Sequence, residues 1–329
     1  MNGPIPIMVD MFSAVACSNP KRRFRWADAV GAADSSWVWD GMPLYYGKSC
    51  KNAVRKIFRC RLELLCPTLA SVHHTSDMDY SGATSALKVQ VFENYEAMSR
   101  EAAARILSAI REQQQFLLCA SAGSTPTRTY QVFASHKARH PRLFSRLRVL
   151  QIDEWAGLPR GNPASCAADL QEKLAAPLQL SHERFMAFRS DAPKPRRECE
   201  RIGRWLADHG PIDLCILGLG GNGHVAMNEP ARALVPHAHV VRLSGSSRNH
   251  AMLRGLARKP RYGLTLGIGD ILRSRCILLL VSGRKKRAVL KRLFRPGVTP
   301  RFPASFLWLH PDVTVLCDRE AAGNHQPRA

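Results

Sequence analysis

The 329-residue sequence has no apolar run of about 18 residues, the length that a helix needs to cross a bilayer. It also lacks GxSxG, P-loop and HExxH patterns, which argues against a serine hydrolase, a nucleotide kinase and a zinc protease. Its ten cysteines include no CxxC pair and no regular spacing, which is typical of reduced thiols in a cytosolic protein. These absences favour a globular cytoplasmic enzyme without a membrane span.

Acidic residues are scarce, because 26 Asp and Glu stand against 48 Lys and Arg, giving a formal net charge of +22. Such an excess is typical of proteins that bind nucleic acid or an anionic membrane. The cations are mostly arginines scattered along the chain, so an arginine-rich coding bias explains the charge as well as a polyanionic ligand does. We therefore expect neither nucleic acid nor a membrane as a partner.

The chain divides into two unequal parts. Residues 1–86 show no sustained period of 2 or 3.6 residues, and no fold can be assigned to them. Two interpretations are open: a poorly ordered extension, or an over-extended reading frame whose true start is Met78. From Leu87 a regular rhythm of strands and helices begins, which predicts a domain over 87–320 and a short tail over 321–329.

Near-continuous apolar segments alternate with helical ones along this domain. Apolar strands separated by helices are typical of a mainly parallel sheet covered on both faces, so we predict a doubly wound, Rossmann-like α/β fold. Ligands bind such sheets outside the carboxyl ends of the strands. The predicted strands are 87–92, 115–121, 148–152, 212–219, 263–268, 276–282 and 313–317.

Two motifs follow the second and third of these strands. In SAGSTP, Gly123 permits a tight turn, and Ser124 and Thr125 offer hydroxyls and a helix cap, so the turn is suited to an anion at a helix N-terminus. Taken alone, the motif is better explained as an ordinary strand-to-helix connection. In LQIDEW, Asp153 and Glu154 end an apolar strand, where desolvation would raise a carboxyl pKa. One of them is a possible general base; a helix cap or surface pair is the alternative.

The motif LGLGGNGHVAMNEP at 217–230 formally contains GxGxxG. A dinucleotide site is disfavoured, because Pro230 interrupts the helix that should follow and no acid stands about 20 residues further on. A glycine-rich turn that delivers His224 and Glu229 to a cleft fits better, since histidine titrates near neutrality and a carboxylate can orient it. A purely structural histidine would leave the glycines and the NEP unexplained.

The fourth motif, VSGRKKRAVLKRLF at 281–294, is again a strand, a glycine and a helix. Four cations crowd its first turn, where the helix dipole disfavours them unless an anion binds. A solvated basic face or an RNA-binding patch is the alternative for most of them. All four motifs follow strands, so they should converge on one crevice. The crevice would then hold a phosphate-binding turn, a carboxylate, a histidine and a cation. This combination suits proton transfer on a phosphorylated substrate, a reaction that requires no organic cofactor or metal.

The motifs resemble the glucosamine-6-phosphate and galactosamine-6-phosphate isomerase/deaminase family, which shares its fold with 6-phosphogluconolactonases. The likeness runs from about Leu87 to Asp318 and includes GSTP, DEWAGLP, NGHxxxNEP, GLTLGIGDIL and SGRKK. Lactonases typically have DGH without NEP, so the sequence favours a deaminase. The resemblance implies a ketohexose 6-phosphate and ammonia as products and is compatible with a homo-oligomer.

By position, the resemblance implies that Asp153 is the enolisation base, that His224 opens the sugar ring and that Glu229 orients His224. The phosphate would be bound by the Gly123, Ser124 and Thr125 turn with Lys286 and, after a small insertion, Arg248. Asn222 stands where glucosamine-6-phosphate deaminases have an aspartate, which favours the galactosamine 6-phosphate branch. Two alternatives remain: a 6-phosphogluconolactonase, and a non-catalytic protein that senses sugar phosphates or binds nucleic acid.

Overall fold

The computed structural model of the chain describes residues 87–323. The predicted extension over 1–86, with its alternative start at Met78, and positions 324–329 of the predicted tail lie outside the described residues. Between residues 87 and 323, no helix combines the length and the apolar character needed to span a bilayer. The six cysteines of this part of the chain are free thiols.

Seven strands form one parallel sheet with the order β1-β10-β9-β6-β2-β3-β5, and three further strands form a separate antiparallel sheet. The mainly parallel sheet confirms the predicted fold class. In chain order the strands are β1 (Lys88–Phe92), β2 (Phe116–Ala120), β3 (Leu147–Gln151), β4 (Asp153–Ala156), β5 (Phe185–Met186), β6 (Leu214–Gly218), β7 (His239–Arg242), β8 (Tyr262–Thr265), β9 (Cys276–Val281) and β10 (Val313–Asp318).

Helices cover both faces of the parallel sheet because its side chains alternate between two apolar layers. On β2, Leu117 and Cys119 enter one buried cluster, while Leu118 and Ala120 enter the other. Helices α1, α2 and α3 pack on the second face, and α4, α6 and α7 on the first. The helices are α1 (Tyr95–Arg111), α2 (Ser124–Ser135), α3 (Cys166–Leu170, continued by a π-helical turn, Gln171–Ala175), α4 (Pro195–His209), α5 (Gly245–Arg248), α6 (Ile268–Leu272), α7 (Arg287–Leu293) and α8 (Arg319–Ala322), with 3-10 turns at Pro141–Phe144, Ala251–Leu253, Arg284–Lys286 and Pro303–Leu309.

The small antiparallel sheet, with the order β4-β8-β7, corrects two predictions. The segment 263–268 was expected in the parallel sheet, but it supplies β8 of the small sheet. Asp153 was expected at the end of a strand, but β3 ends at Gln151 and Asp153 opens β4. The chain changes sheets at Ile152, whose N–H donates to Ala120 of the large sheet (3.1 Å) and whose C=O accepts from Leu266 (2.9 Å).

Candidate active site

The glycine-rich segment after β6 is a tight turn that seats His224. The N–H of Gly220 donates to the C=O of His224 (2.9 Å), and the N–H of Gly223 donates to the C=O of Gly220 (2.9 Å). A Cβ on Gly220 would lie 2.4 Å from three atoms of the His224 ring. Gly223 has φ 91°, and a Cβ there would lie 2.1 Å from the Phe302 ring. No helix follows between residues 219 and 238, which excludes the dinucleotide-binding geometry.

His224 and Glu229 form a pair that Asn222 connects. The Nδ1 atom of His224 is 3.7 Å from Oε2 of Glu229. The side-chain amide of Asn222 donates to that Oε2 at 2.8 Å, and its Oδ1 accepts from the N–H of His224 at 3.1 Å. The other Glu229 oxygen accepts from the N–H of Ser244 at 3.0 Å. The carboxylate is therefore fixed on both oxygens beside the imidazole.

The surroundings set the charge of each member of the pair. Burial opposes ionisation of Glu229, but hydrogen bonds from Ser247, Ser244 and Asn222 outweigh it and lower the pKa of that carboxyl. Burial also lowers the pKa of His224 and outweighs the attraction of Glu229. The Nδ1 atom of His224 is buried without a hydrogen-bond partner among the described residues. At neutral pH the pair is a neutral imidazole beside an ionised carboxylate.

Asp153 lies at the start of β4 with 9% of its surface exposed. Burial, and then the nearby charge of Glu154, raise the pKa of Asp153 to about 7. A carboxyl group with this pKa can accept and return a proton near neutrality. Asp153 therefore has the properties of a general base; burial also raises the pKa of Glu154, the other acid that the sequence left open, but hydrogen bonds to its carboxylate oppose that shift.

Glu154 has a different environment, because its carboxylate holds the start of α3. Its Oε1 accepts from the N–H groups of Trp155 (2.7 Å) and Cys166 (2.8 Å), and its Oε2 accepts from the N–H of Ala167 (2.8 Å). The amide of Gln151 adds a fourth bond at 3.0 Å. A carboxylate at a helix N-terminus is stabilised by the free amides there. Glu154 therefore corresponds to the helix-anchoring alternative of the sequence analysis.

Asp153 and the NEP turn are anchored at the same end of β8. Asp153 pairs with Thr265 across the small sheet. The Oγ1 atom of Thr265 accepts from the N–H of Met227 at 3.3 Å, and the amide of Asn228 donates to the C=O of Leu266 at 2.9 Å. Two segments about 70 residues apart in the sequence are thus fixed against one strand end.

The SAGSTP turn joins β2 to α2 as predicted, but its cap differs. Gly123, with φ 109°, is the cap residue, and no side chain caps this helix, so the predicted capping role of Ser124 or Thr125 is wrong. The N–H of Gly123 donates to Asp169 at 2.9 Å. The amides of Ser124 and Thr125 lie in the first turn of α2, where a helix offers no internal acceptors; these amides are oriented to bind an anion.

Of the four cations at the SGRKK turn, Lys286 is the one whose side chain is half-buried. Its Nζ donates to the C=O of Leu219 at 2.5 Å, burial lowers its pKa, and its charge contributes to the lowered pKa of His224. Arg284, Lys285 and Arg287 are exposed. The turn itself is held by Asp318 of β10, which accepts from the N–H of Gly283 (3.1 Å) and from the hydroxyl of Ser282 (2.5 Å).

Arg248 and His250 occupy the segment beside this pair. Arg248, the last residue of α5, is exposed, and the structure records no bond from its side chain to another described residue. His250, which the sequence analysis missed, has its ring centre 5.7 Å from that of Trp155. Its Cε1 lies 3.9 Å from the position of a Cβ on Gly123. The motif LSGSSRNH contains His250, but the family resemblance, after a small insertion, pointed to Arg248.

Comparison with known proteins identifies relatives over the same region. Residues 92–316 match the family described as glucosamine-6-phosphate isomerases/6-phosphogluconolactonase. The chain is 37% identical over 243 residues to "Putative deaminase AgaI" of Escherichia coli strain K12, an alignment that covers 72% of this chain and 96% of the relative. It is 34% identical over 239 residues to glucosamine-6-phosphate deaminase 1 of Bacillus subtilis strain 168, covering 72% and 98%.

Two solved structures from the same group of proteins superpose on this chain. A monomeric glucosamine-6-phosphate deaminase superposes with a TM-score of 0.69 at 33% identity, covering 73% of this chain and 100% of the other. The 6-phosphogluconolactonase from Trypanosoma brucei superposes with a TM-score of 0.59 at 20% identity, covering 74% and 100%. At that identity the second likeness shows the fold alone.

Proposed function

The chain belongs to the family of glucosamine-6-phosphate isomerases and 6-phosphogluconolactonases, and we propose that it isomerises and deaminates a hexosamine 6-phosphate. The observation that carries this proposal is the fixed pair of His224 and Glu229 in the NGH and NEP turn. Relatives named deaminases at 33–37% identity support it, whereas the likeness to the Trypanosoma brucei lactonase is at 20%.

In the proposed first step, His224 opens the sugar ring. A cyclic hexosamine has no acidic C2 proton until its C1 becomes an aldehyde. A neutral imidazole can take the proton of the O1 hydroxyl and give it to the ring oxygen as the C1–O5 bond breaks. The lowered pKa of His224 keeps its imidazole neutral before this transfer, and ionised Glu229 stabilises the imidazolium that forms transiently.

In the second step, Asp153 acts at C2 and C1. Its carboxylate removes the C2 proton of the open aldose, and the electrons move into a C1–C2 double bond as a proton passes from the substrate's 2-ammonium group to the aldehyde oxygen. The protonated carboxyl then returns a proton to C1, which leaves a ketimine at C2. Water adds to the ketimine, and ammonia leaves as the ketone forms. Because burial and Glu154 raise the pKa of Asp153 to about 7, both directions of transfer are accessible near neutral pH.

The phosphate is proposed to lie between the start of α2 and Lys286. Ser124 and Thr125 present first-turn amides, and the helix dipole favours an anion there. The ammonium of Lys286 adds a full positive charge that, being half-buried, is less screened by water than one on the surface. Gly123 supplies the backbone geometry of this turn, because its φ of 109° is accessible to few other residues.

Galactosamine 6-phosphate is the proposed epimer, with tagatose 6-phosphate and ammonia as products in the cytoplasm. Two features support it: Asn222 in the NGH sequence, and Trp155 in the DEW sequence, which resemble the galactosamine branch. Asn222 donates to Glu229, whereas an aspartate there would carry a second negative charge.

The test is an ammonia-release assay on glucosamine 6-phosphate and galactosamine 6-phosphate side by side, with the ketose phosphate measured in the same samples. We expect equal amounts of ammonia and ketose phosphate, with higher kcat/KM for galactosamine 6-phosphate. Faster turnover of the glucosamine epimer would overturn the choice of substrate. Hydrolysis of 6-phosphogluconolactone with no ammonia from either hexosamine would establish the lactonase alternative, and DNA binding that falls steeply with salt, without turnover, would favour a non-catalytic protein.

A further inference from the structure

His250 is the first residue of the turn that follows α5. It caps the 3-10 turn Ala251–Leu253, and its Nδ1 accepts from the N–H of Met252 at 3.3 Å. In a neutral imidazole one nitrogen accepts and the other carries the proton. Because Nδ1 is the acceptor, the proton is on Nε2, and the ring offers one N–H donor on its other side.

The position of the ring is set by contacts with two site segments. The ring is tilted against Trp155 of β4, with ring centres 5.7 Å apart and planes inclined at 41°. Its Cε1 is 3.9 Å from the point where Gly123 would carry a Cβ. Cε1 is bonded to both ring nitrogens, and Nδ1 already accepts from Met252, so Nε2 is the ring nitrogen that remains free to donate near the start of α2.

Three charged or titratable groups surround His250. Loss of hydration lowers the pKa of His250, the charge of Lys286 lowers it further, and Asp169 opposes the shift. His250 in turn contributes to the lowered pKa of His224. Lys286 and His250 are therefore near enough to repel each other when both carry protons, and an anion between them would remove this repulsion.

We propose that His250 donates its Nε2–H to the phosphate group of the substrate and forms the wall of the phosphate pocket opposite Lys286. This inference rests on the proposed function, because it takes a hexosamine 6-phosphate as the ligand. It assigns the phosphate contact of the segment 244–250 to His250 in preference to Arg248: both side chains are exposed, but it is the His250 ring that lies beside Gly123 and Trp155.

The test compares His250→Ala, His250→Gln, Arg248→Ala and, as a matched control, His182→Ala, an exposed histidine of another loop. KM and kcat are measured with the hexosamine 6-phosphate, and the Kd of inorganic phosphate is measured by calorimetry. We expect His250→Ala to raise both KM and Kd about 10-fold or more, as for a lost hydrogen bond to a charged group, with kcat changed less than about threefold.

The glutamine variant distinguishes the contribution of the N–H donor from that of the imidazole ring. Glutamine carries an N–H at nearly the reach of Nε2, so His250→Gln should recover most of the phosphate affinity, while Arg248→Ala should have a smaller effect than His250→Ala. His182→Ala should match the parent. Thermal unfolding of each variant shows whether the protein is folded. If His250→Ala does not fold, the phosphate affinity of His250→Gln tests the proposal instead. A folded glutamine variant that has lost phosphate affinity would contradict the donor role.

Other results would also overturn the inference. Unchanged phosphate affinity in folded His250→Ala, or a larger loss in Arg248→Ala, would return the contact to Arg248. The phosphate titration needs no turnover, so it decides the role of His250 even if neither hexosamine releases ammonia. Absence of ammonia from both hexosamines would overturn the proposed function, whereas the phosphate titration would still test whether His250 binds phosphate.

Discussion

The Nδ1 atom of His224 and the Oε2 atom of Glu229 are 3.7 Å apart, while the amide of Asn222 donates to the same oxygen at 2.8 Å. The imidazole is therefore close to a carboxylate whose position is already fixed by a third residue. Catalytic hydrogen bonds are often long in the free enzyme and shorten when substrate binds. A hydrogen bond from Nδ1 of His224 to Oε2 of Glu229 can therefore form when substrate binds, because Asn222 already fixes the position of Oε2.

Replacing Asn222 by aspartate should change the pH dependence of the reaction. Asn222→Asp removes a donor to Glu229 and puts a second carboxylate beside it, so one carboxyl pKa rises and the added negative charge raises the pKa of His224. The acid limb of kcat/KM, which the ionisation of Asp153 sets near pH 7 in the parent, should then become steeper, because deprotonation of His224 falls in the same pH range. Measuring kcat/KM from pH 5 to 9 checks this, and an acid limb with the parental slope and midpoint would contradict it.

Asp153→Asn should nearly abolish turnover, because an amide cannot accept the C2 proton. General base catalysis contributes about 10²- to 10⁴-fold, so kcat should fall by that factor. In the parent, kcat/KM should rise with pH through about 7, as the carboxyl with this raised pKa ionises. Ammonia release at the parental rate from a purified, folded variant would refute the assignment of Asp153 as the base.

The same substitution should stabilise the protein at alkaline pH. A carboxyl whose pKa is about 7 when folded and 3.8 when unfolded opposes folding increasingly as pH rises between these values. Asn cannot ionise, so Asp153→Asn should raise the free energy of unfolding at pH 8 by on the order of 1–4 kcal/mol. Urea unfolding of both proteins at pH 4 and pH 8 checks this; a gain at pH 4 as large as that at pH 8 would contradict it.

Gly220→Ala should displace His224 without unfolding the protein. The new Cβ would lie 2.4 Å from the ring, so the imidazole must move. Misplacing a catalytic group by about 1 Å costs about 100-fold in rate. Gly221→Ala is the matched control, because a Cβ there meets nothing within 4 Å. Steady-state rates and circular dichroism of both variants test the prediction, which fails if both retain the parental rate.

Lys286→Ala and Lys285→Ala should differ strongly despite being neighbours. Lys286 is half-buried and lies inward, whereas Lys285 is exposed to solvent. Loss of a charged donor to the phosphate should raise KM about 10- to 100-fold in Lys286→Ala. Lys285→Ala should keep KM near the parental value. Equal effects of the two substitutions would show that only the overall charge of the turn matters.

The parallel sheet was predictable because its central strands are apolar on both faces and alternate with helices. The small sheet was not, because the short apolar run of β8 looks the same whether its partners are parallel or antiparallel. Its place depends on Ile152, which bonds Ala120 in one sheet and Leu266 in the other. A contact between residues more than 100 positions apart leaves no local pattern in the sequence.

The same limit applies to the site. His224, Glu229 and Lys286 could be selected from chemistry and spacing, and the structure gives each of them a defined local contact. The cap at Gly123 and the role of Glu154 depend on residues 166–169, which only the folded chain brings near. His250 was missed for a related reason, since its neighbours Trp155 and Gly123 are far away in sequence.

The position of β10 between β1 and β9 has a consequence for synthesis of the protein. Among the described strands, β1 pairs with β10 alone, so within the described sheet it has no strand partner until residues 313–318 have left the ribosome. Asp318 on that late strand also holds the turn that carries Lys286. Strand β1 is therefore paired, and the turn of Lys286 is fixed, only after residue 318 has been synthesised, and chains that stop before β10 should be inactive.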